Sequence, residues 1–324
     1  MIKIQAIRAI ALTVADIDTA QNFYTQALGF KTIQDLTLEA ATYSQLAPST
    51  SGPVRILTLQ LGDEQVELIQ YLELKAKPIP RDSQSNDLWF QDMAIVVSDM
   101  DRAYEHLRSF AITPISDGPQ TLPADKSMAG GVKAFKFRDG DYHSLEILGF
   151  PEGKGKDKWH KPNQDLFLGI DHSAIAIADS QESLGFYRDL LGMEVADSGV
   201  NQGETQALLD GLPVAEVHIN SLQPVQASMG IELLDYVKPG TGRAIPDDWT
   251  MSDLAHRHLL LETDPLETVF EVLKQQGVRI VSSQIVNFPS AYPYRQGCLI
   301  LDPNGNALVL VTPPLDDHNS GKRA

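Results

Sequence analysis

The chain has 324 residues, 43% of them hydrophobic and 21% charged, with a formal net charge of −17. These values suit a folded chain of about two domains and disfavour nucleic acid and anionic membranes as partners. No apolar run approaches the ~18 residues that span a bilayer, and the single cysteine, Cys298, excludes an intrachain disulfide and fits a cytoplasmic location.

The first predicted strand, "AIALTVAD" from Ala9, could pass for part of a secretion leader. Its internal counterpart "SAIAIAD" from Ser173 marks it as structural. A helix pattern follows through Phe23-Tyr24, and then the β-rich runs "RILTLQL" and "QVELIQYL". The theme returns at Gln91, where "QDMAIVV" leads into the helix "DMDRAYEHL" and the runs "KAFKFRD" and "SLEILGF". The Gly-, Pro- and Lys-rich stretch at 151–166 reads as a linker, and its basic run Gly153–Lys161 as a solvated segment. A third unit opens with "GIDHSAIAIADSQESLGFYRDLLGMEV" and ends with "AEVHINSL" and "GIELLDYV". A fourth starts at His256 and ends with "GCLILD" and "ALVLVTP".

These four units are two copies of a pair. Phe23-Tyr24 maps onto Phe186-Tyr187, and Asp139 onto Asp302, both at an offset of 163; "IPRDSQSNDLW" from Ile79 maps onto "IPDDWTMSDLA" from Ile245 at 166. Constant offsets indicate duplication. The expected organisation is an N-terminal domain at 1–150, the linker at 151–166, a C-terminal domain at 167–315 and a frayed tail at 316–324. The expected fold is α+β: four β-α-β-β-β modules paired into two cup-shaped half-barrels. Modules one and two are expected to form one cup, and modules three and four the other. No phosphate loop, dinucleotide fingerprint or Gly-x-Ser-x-Gly elbow occurs.

The phrases "HSAIAIADSQESLGFYRDLLGMEV", "LTVADIDTAQNFYTQALGF", "GIELLDY" and "LDPNGNALVLV" resemble the vicinal oxygen chelate superfamily, which includes glyoxalase I, bleomycin-resistance proteins and extradiol dioxygenases. The resemblance implies a metal in a cup, held by the first and last strands of the modules. First-strand ligand positions fall at Ala9, Asp92, His172 and His258, and last-strand positions at Glu67, Glu146, Glu232 and Val309.

On the expected pairing, the C-terminal cup gathers His172, Glu232 and His258 around one divalent transition metal: Fe, Mn, Zn, Ni or Co. Glu232 and His256 are then the groups nearest the reacting proton. Val309 departs from the pattern of either named reaction. Ala9, Glu67, Asp92 and Glu146 are expected in an N-terminal cup without metal. His218 reads as a strand residue, and His143 as structural or on the surface. The implied function is a metal-dependent enzyme on a small oxygen-chelating substrate, of lyase or isomerase type or ring-cleaving. The alternative is a non-catalytic small-molecule binder of the bleomycin-resistance type.

Overall fold

The computed structural model describes residues 2–48, 51–125, 127, 129–162 and 165–312; the expected tail at 316–324 lies outside them. Module one comprises β1 (Ala6–Thr13), α1 (Ile17–Leu28), β2 (Lys31–Leu38), α2 (Ala40–Leu46), β3 (Val54–Leu61) and β4 (Glu64–Tyr71). Module two comprises β5 (Gln91–Val97), α3 (Met100–Leu107), the short β6 (Thr113–Pro114) and β7 (Gln120–Thr121), β8 (Lys133–Arg138) and β9 (Ser144–Gly149). Module three has β10 (Phe167–Ile177), α4 (Ser180–Leu184) running into a π-helical turn, β11 (Glu194–Gln202), α5 (Glu204–Asp210), β12 (Glu216–Gln223) and β13 (Gly230–Lys238). Module four has β14 (Arg257–Glu262), α6 (Leu266–Gln275), β15 (Val286–Asn287), β16 (Gln296–Leu301) and β17 (Ala307–Thr312).

The Asp that ends the first strand has a mechanical role in three modules. Asp16, Asp99 and Asp179 cap the next helix by accepting the backbone amides of Thr19, Arg102 and Glu182. Each cap satisfies a donor that the first helical turn leaves free. Helix α1 ends at Gly29, whose φ of 75° lies where glycine sits without strain.

Two sheets result. One runs β15-β16-β17-β14-β1-β4-β3-β2, and the other β11-β12-β13-β10-β5-β9-β8-β6, with β7 on β8. The first and last strands of each module are parallel neighbours. The four-module, two-cup architecture holds, but the partners differ from expectation. Module one shares its sheet with module four through antiparallel β1–β14, and module two shares its sheet with module three through antiparallel β10–β5. The repeats at 1–150 and 167–315 are therefore units of sequence, and each cup draws on both.

The reason lies in the joins. Repeated modules present equivalent first-strand edges, so backbone hydrogen bonding alone does not choose between partners. Particular contacts do. Arg8 pairs with Glu262 across β1–β14, and Ser173 Oγ donates to the Asp92 carbonyl across β10–β5 at 2.9 Å. The duplicated loops before β5 and β14 dock on each other: Arg243 grips Asp87 in bidentate fashion, and the Lys77 amide donates to Asp253.

The expected neighbours are still joined, but by helix and hairpin. Tyr24 of α1 donates to Asp139 in the β8–β9 turn, and Tyr187 to Asp302 in the β16–β17 turn, at 3.3 and 3.0 Å. The largest apolar cluster lies between, drawing on both sheets and on α1, α3 and α6. His143, read from the sequence as structural or on the surface, is fully buried. Its Nδ1 lies 3.0 Å from Asp139 Oδ2 and its Nε2 lies 2.9 Å from the Leu254 carbonyl. Against the pull of burial, His143 holds the Asp139 carboxyl below its usual range. His143→Ala removes one of several donors to a buried carboxylate and leaves a cavity, so it should cost about 1–3 kcal/mol, read as a fall in the urea midpoint.

Candidate metal centre

In the module two–three cup, period-two alternation and strand register place the polar groups. Across β9, β5, β10 and β13 one row reads Glu146, Ala94, His172, Gly230. The neighbouring row on the same face carries Asp92, Ala174 and Glu232 on β5, β10 and β13. Four polar side chains thus alternate with Ala94, Ala174 and Gly230, whose small size leaves the centre open.

One donor atom from each of Asp92, Glu146 and His172 lies within 4.8 Å of the others. Glu232 joins through its Oε2, 3.4 Å from His172 Nε2, while its Oε1 accepts from Ser221 Oγ at 2.8 Å. Asp92 is 0% exposed, and neither carboxylate oxygen accepts a hydrogen bond. The buried Lys136 ammonium lies 3.4 Å from Asp92 and 2.9 Å from Asp210 at the end of α5.

Burial lifts the Glu146 carboxyl to about 8 against the pull of Lys136. Burial would lower His172, yet Glu232 and the hydrogen bond that its ring donates to Asp171 raise it to about 10. Such mutual perturbation in a cup is a mark of functional sites. A set of three carboxylates and one imidazole suits a divalent metal of the borderline class.

The sequence-derived set is only partly brought together. His172 and Glu232 meet. His258 does not join them: it lies in the other sheet, opposite Ala11 of β1, because module four pairs with module one. Asp92 and Glu146, assigned from sequence to a cup without metal, stand beside His172. They were singled out in sequence at first- and last-strand positions but assigned different neighbours. Lys136, Asp171 and Asp210 carried no sequence signal beyond the adjacency of Asp171 and His172.

The module one–four cup repeats the geometry with other contents. Its four positions hold Ala9, Glu67, His258 and Val309, and Leu260 stands where the first cup has Ala94. Tyr292 reaches in and donates to Glu67 Oε2 at 2.8 Å. His256, expected beside Glu232, instead places Nε2 3.1 Å from His258 Nδ1. Burial drives His256 down to about 4 and His258 well below its usual range, so both rings are neutral at pH 7. A cavity of about 930 Å³ opens beside His256, Met251 and Leu299 and reaches Phe186 of module three. His218 is exposed on β12.

The chain belongs to the Glyoxalase/Bleomycin resistance protein/Dioxygenase superfamily, whose family model matches residues 6–147 and 169–310. Over 153 residues it is 29% identical to a 2-epi-5-epi-valiolone epimerase of Actinomyces sp, a match that spans 46% of this chain and 81% of that one. Its fold is similar to glyoxalase I of Zea mays, at a TM-score of 0.61 and 16% identity over 95% of this chain and 92% of that one. It is also similar to a putative dioxygenase of Bacillus subtilis, at a TM-score of 0.59 and 11% identity over 97% and 87% of the two chains. Among the described residues no helix is long and apolar enough to cross a membrane.

Burial of Glu67 raises its carboxyl to about 7, although the Tyr292 hydrogen bond opposes the rise. The folded chain therefore holds this proton more tightly than the unfolded chain, and the resulting stability is lost as pH rises through 7. Glu67→Gln should leave metal content unchanged. It should also stabilise the protein by about 1–3 kcal/mol at pH 8 and by almost nothing at pH 4, measured as urea midpoints at the two pH values.

Proposed function

We propose that the module two–three cup is the active site of a metal-dependent enzyme that moves a proton at a carbon beside a carbonyl, as an isomerase or lyase does. Its substrate is a small molecule that presents two neighbouring oxygens. The observation that carries this reading is Asp92, a fully buried carboxylate without a hydrogen-bond donor, facing Glu146 and His172. Its ionic partner, Lys136 at 3.4 Å, is held more closely by Asp210 at 2.9 Å; a buried carboxylate so weakly paired costs several kcal/mol, and a cation at this point would remove the cost.

Asp92, Glu146, His172 and Glu232 would hold a divalent metal, with Fe, Mn, Zn, Ni and Co as candidates. When bound, the metal supplies Lewis-acid stabilisation of the substrate oxygen as the neighbouring proton leaves. Glu232 is the proton carrier. Its side chain is 24% exposed, against complete burial of Asp92. Ser221 fixes one of its oxygens and leaves the other towards the cup centre. Ala94, Ala174 and Gly230 shape the space for the substrate. The similarity to an epimerase supports isomerase chemistry on a hydroxylated ketone.

A second reading, a non-catalytic small-molecule binder, is favoured by the cavity beside His256, which is separate from the carboxylate cluster. Binding to that cavity would survive removal of the metal by chelation.

Two measurements test the first reading. Purified protein should carry about one transition metal per chain, and Asp92→Ala or His172→Ala should lower metal affinity at least about tenfold. Proton NMR in deuterated water should show exchange beside the carbonyl of a hydroxylated cyclic ketone, slowed about 10²–10⁴-fold in Glu232→Gln. A protein that takes up no metal after supplemented expression and exchanges no proton in a ketone panel would rule the reading out.

A further inference from the structure

We infer that the linker between the sequence halves positions the candidate metal ligand His172, acting through Asp171. This inference rests on the metal reading of the module two–three cup.

The chain of contacts is continuous. Asp171 is the extra residue of a β-bulge in β10, between the pairs Ile170–Ile95 and His172–Ala94. A bulge re-aims a side chain, and here it brings two successive side chains together: Asp171 Oδ2 lies 3.1 Å from His172 Nδ1. A carboxylate only accepts, so Nδ1 carries a hydrogen, and Nε2, on the Glu232 side, is the nitrogen left to give its lone pair to a metal once its own proton is displaced. The other oxygen, Oδ1, accepts from the Trp159 indole Nε1 at 3.2 Å and lies 3.4 Å from the Lys156 ammonium.

Trp159 and Lys156 both belong to the linker. The indole is 5% exposed, on a short 3-10 turn at Asp157–His160. Lys158 locks the turn, its ammonium touching Glu64 of module one and lying 4.3 Å from the Trp159 ring. The basic run that reads as a solvated segment is thus seated against the strand that carries His172.

The duplicated module supplies a comparison within the molecule. The same bulge occurs in β1, between Ile7 and Ala9. There the bulged residue is Arg8, paired with Glu262, and the ligand position is Ala9. Carboxylate and imidazole occur together in one copy and are absent together from the other. This is the pattern of an orienting partner, because a carboxylate that fixes ring tautomer and direction serves no purpose without the ring.

The test uses the full-length protein loaded with Co²⁺, with visible absorption reporting coordination and chelator competition reporting affinity. Asp171→Asn should weaken Co²⁺ binding about 10–100-fold and alter the spectrum. Trp159→Phe keeps an aromatic ring but loses the pyrrole ring that carries the N–H; it should weaken binding about 3–10-fold and have no further effect on binding in the Asp171→Asn background. If Trp159→Phe fails to fold, the half-exposed Lys156→Met should give a smaller loss, of about two- to threefold, by the same route. A Trp159→Phe protein with a lower urea midpoint but native Co²⁺ spectrum and affinity would show that the indole only fills the core, and would overturn the inference. So would a loss that adds to that of Asp171→Asn. If the native protein takes up no Co²⁺, the metal reading itself fails and the inference falls with it.

Discussion

The antiparallel seam between β10 and β5 is the contact on which the candidate site depends. His172 and Asp92 come from consecutive modules in opposite halves of the repeat, and each brings a last strand with a carboxylate as its parallel neighbour. A shift of one residue at this seam would turn one pair of ligands to the opposite face, because strand side chains alternate. The Ser173 hydroxyl on the Asp92 carbonyl and the bulge at Asp171 pin the register at the place where it matters. The seam is half of a closed cycle. Sheets join modules one to four and two to three, while Tyr24–Asp139 and Tyr187–Asp302 join one to two and three to four. Every module therefore has one strand partner and one helix-to-hairpin partner.

The fold was largely legible in the sequence because its signals are local. Alternating apolar runs, an Asp at the end of each first strand and constant offsets between copies define four modules without knowledge of their partners. Position within the module was legible too, so Asp92, Glu146, His172 and Glu232 were all singled out at first- or last-strand positions, which the register brings together. The pairing was not. Repeats have similar strand edges, and the choice rests on single contacts such as Arg8–Glu262 and the docking of Arg243 on Asp87, which leave no periodic trace. That one ambiguity placed His258 with His172 and Glu232, and separated Asp92 and Glu146 from His172. The orienting shell was illegible for a related reason: Asp171, Trp159 and Lys156 meet only because of a bulge and a folded-back linker.

The two cups show what one backbone geometry permits. In the module one–four cup, Ala9 and Val309 replace two ligand positions, Leu260 fills the space left open at Ala94, and Tyr292 supplies the donor that Glu67 needs. A single buried carboxyl that keeps its proton up to about pH 7 and accepts one hydroxyl needs no cation. In the module two–three cup, Asp92, Glu146 and Asp210 surround Lys136, which is held more closely by Asp210 than by Asp92, and Glu232 pairs with His172. With the Lys136–Asp210 pair set aside, three carboxylates and one imidazole converge on a space bordered by alanine and glycine. Packing alone does not explain such a cluster, since apolar residues of similar volume would fill the cup at no electrostatic cost. The cluster is accounted for if a divalent cation occupies the space and leaves one net negative charge, which Lys136 partly screens. The difference between the cups is therefore one of charge, carried on a common strand register.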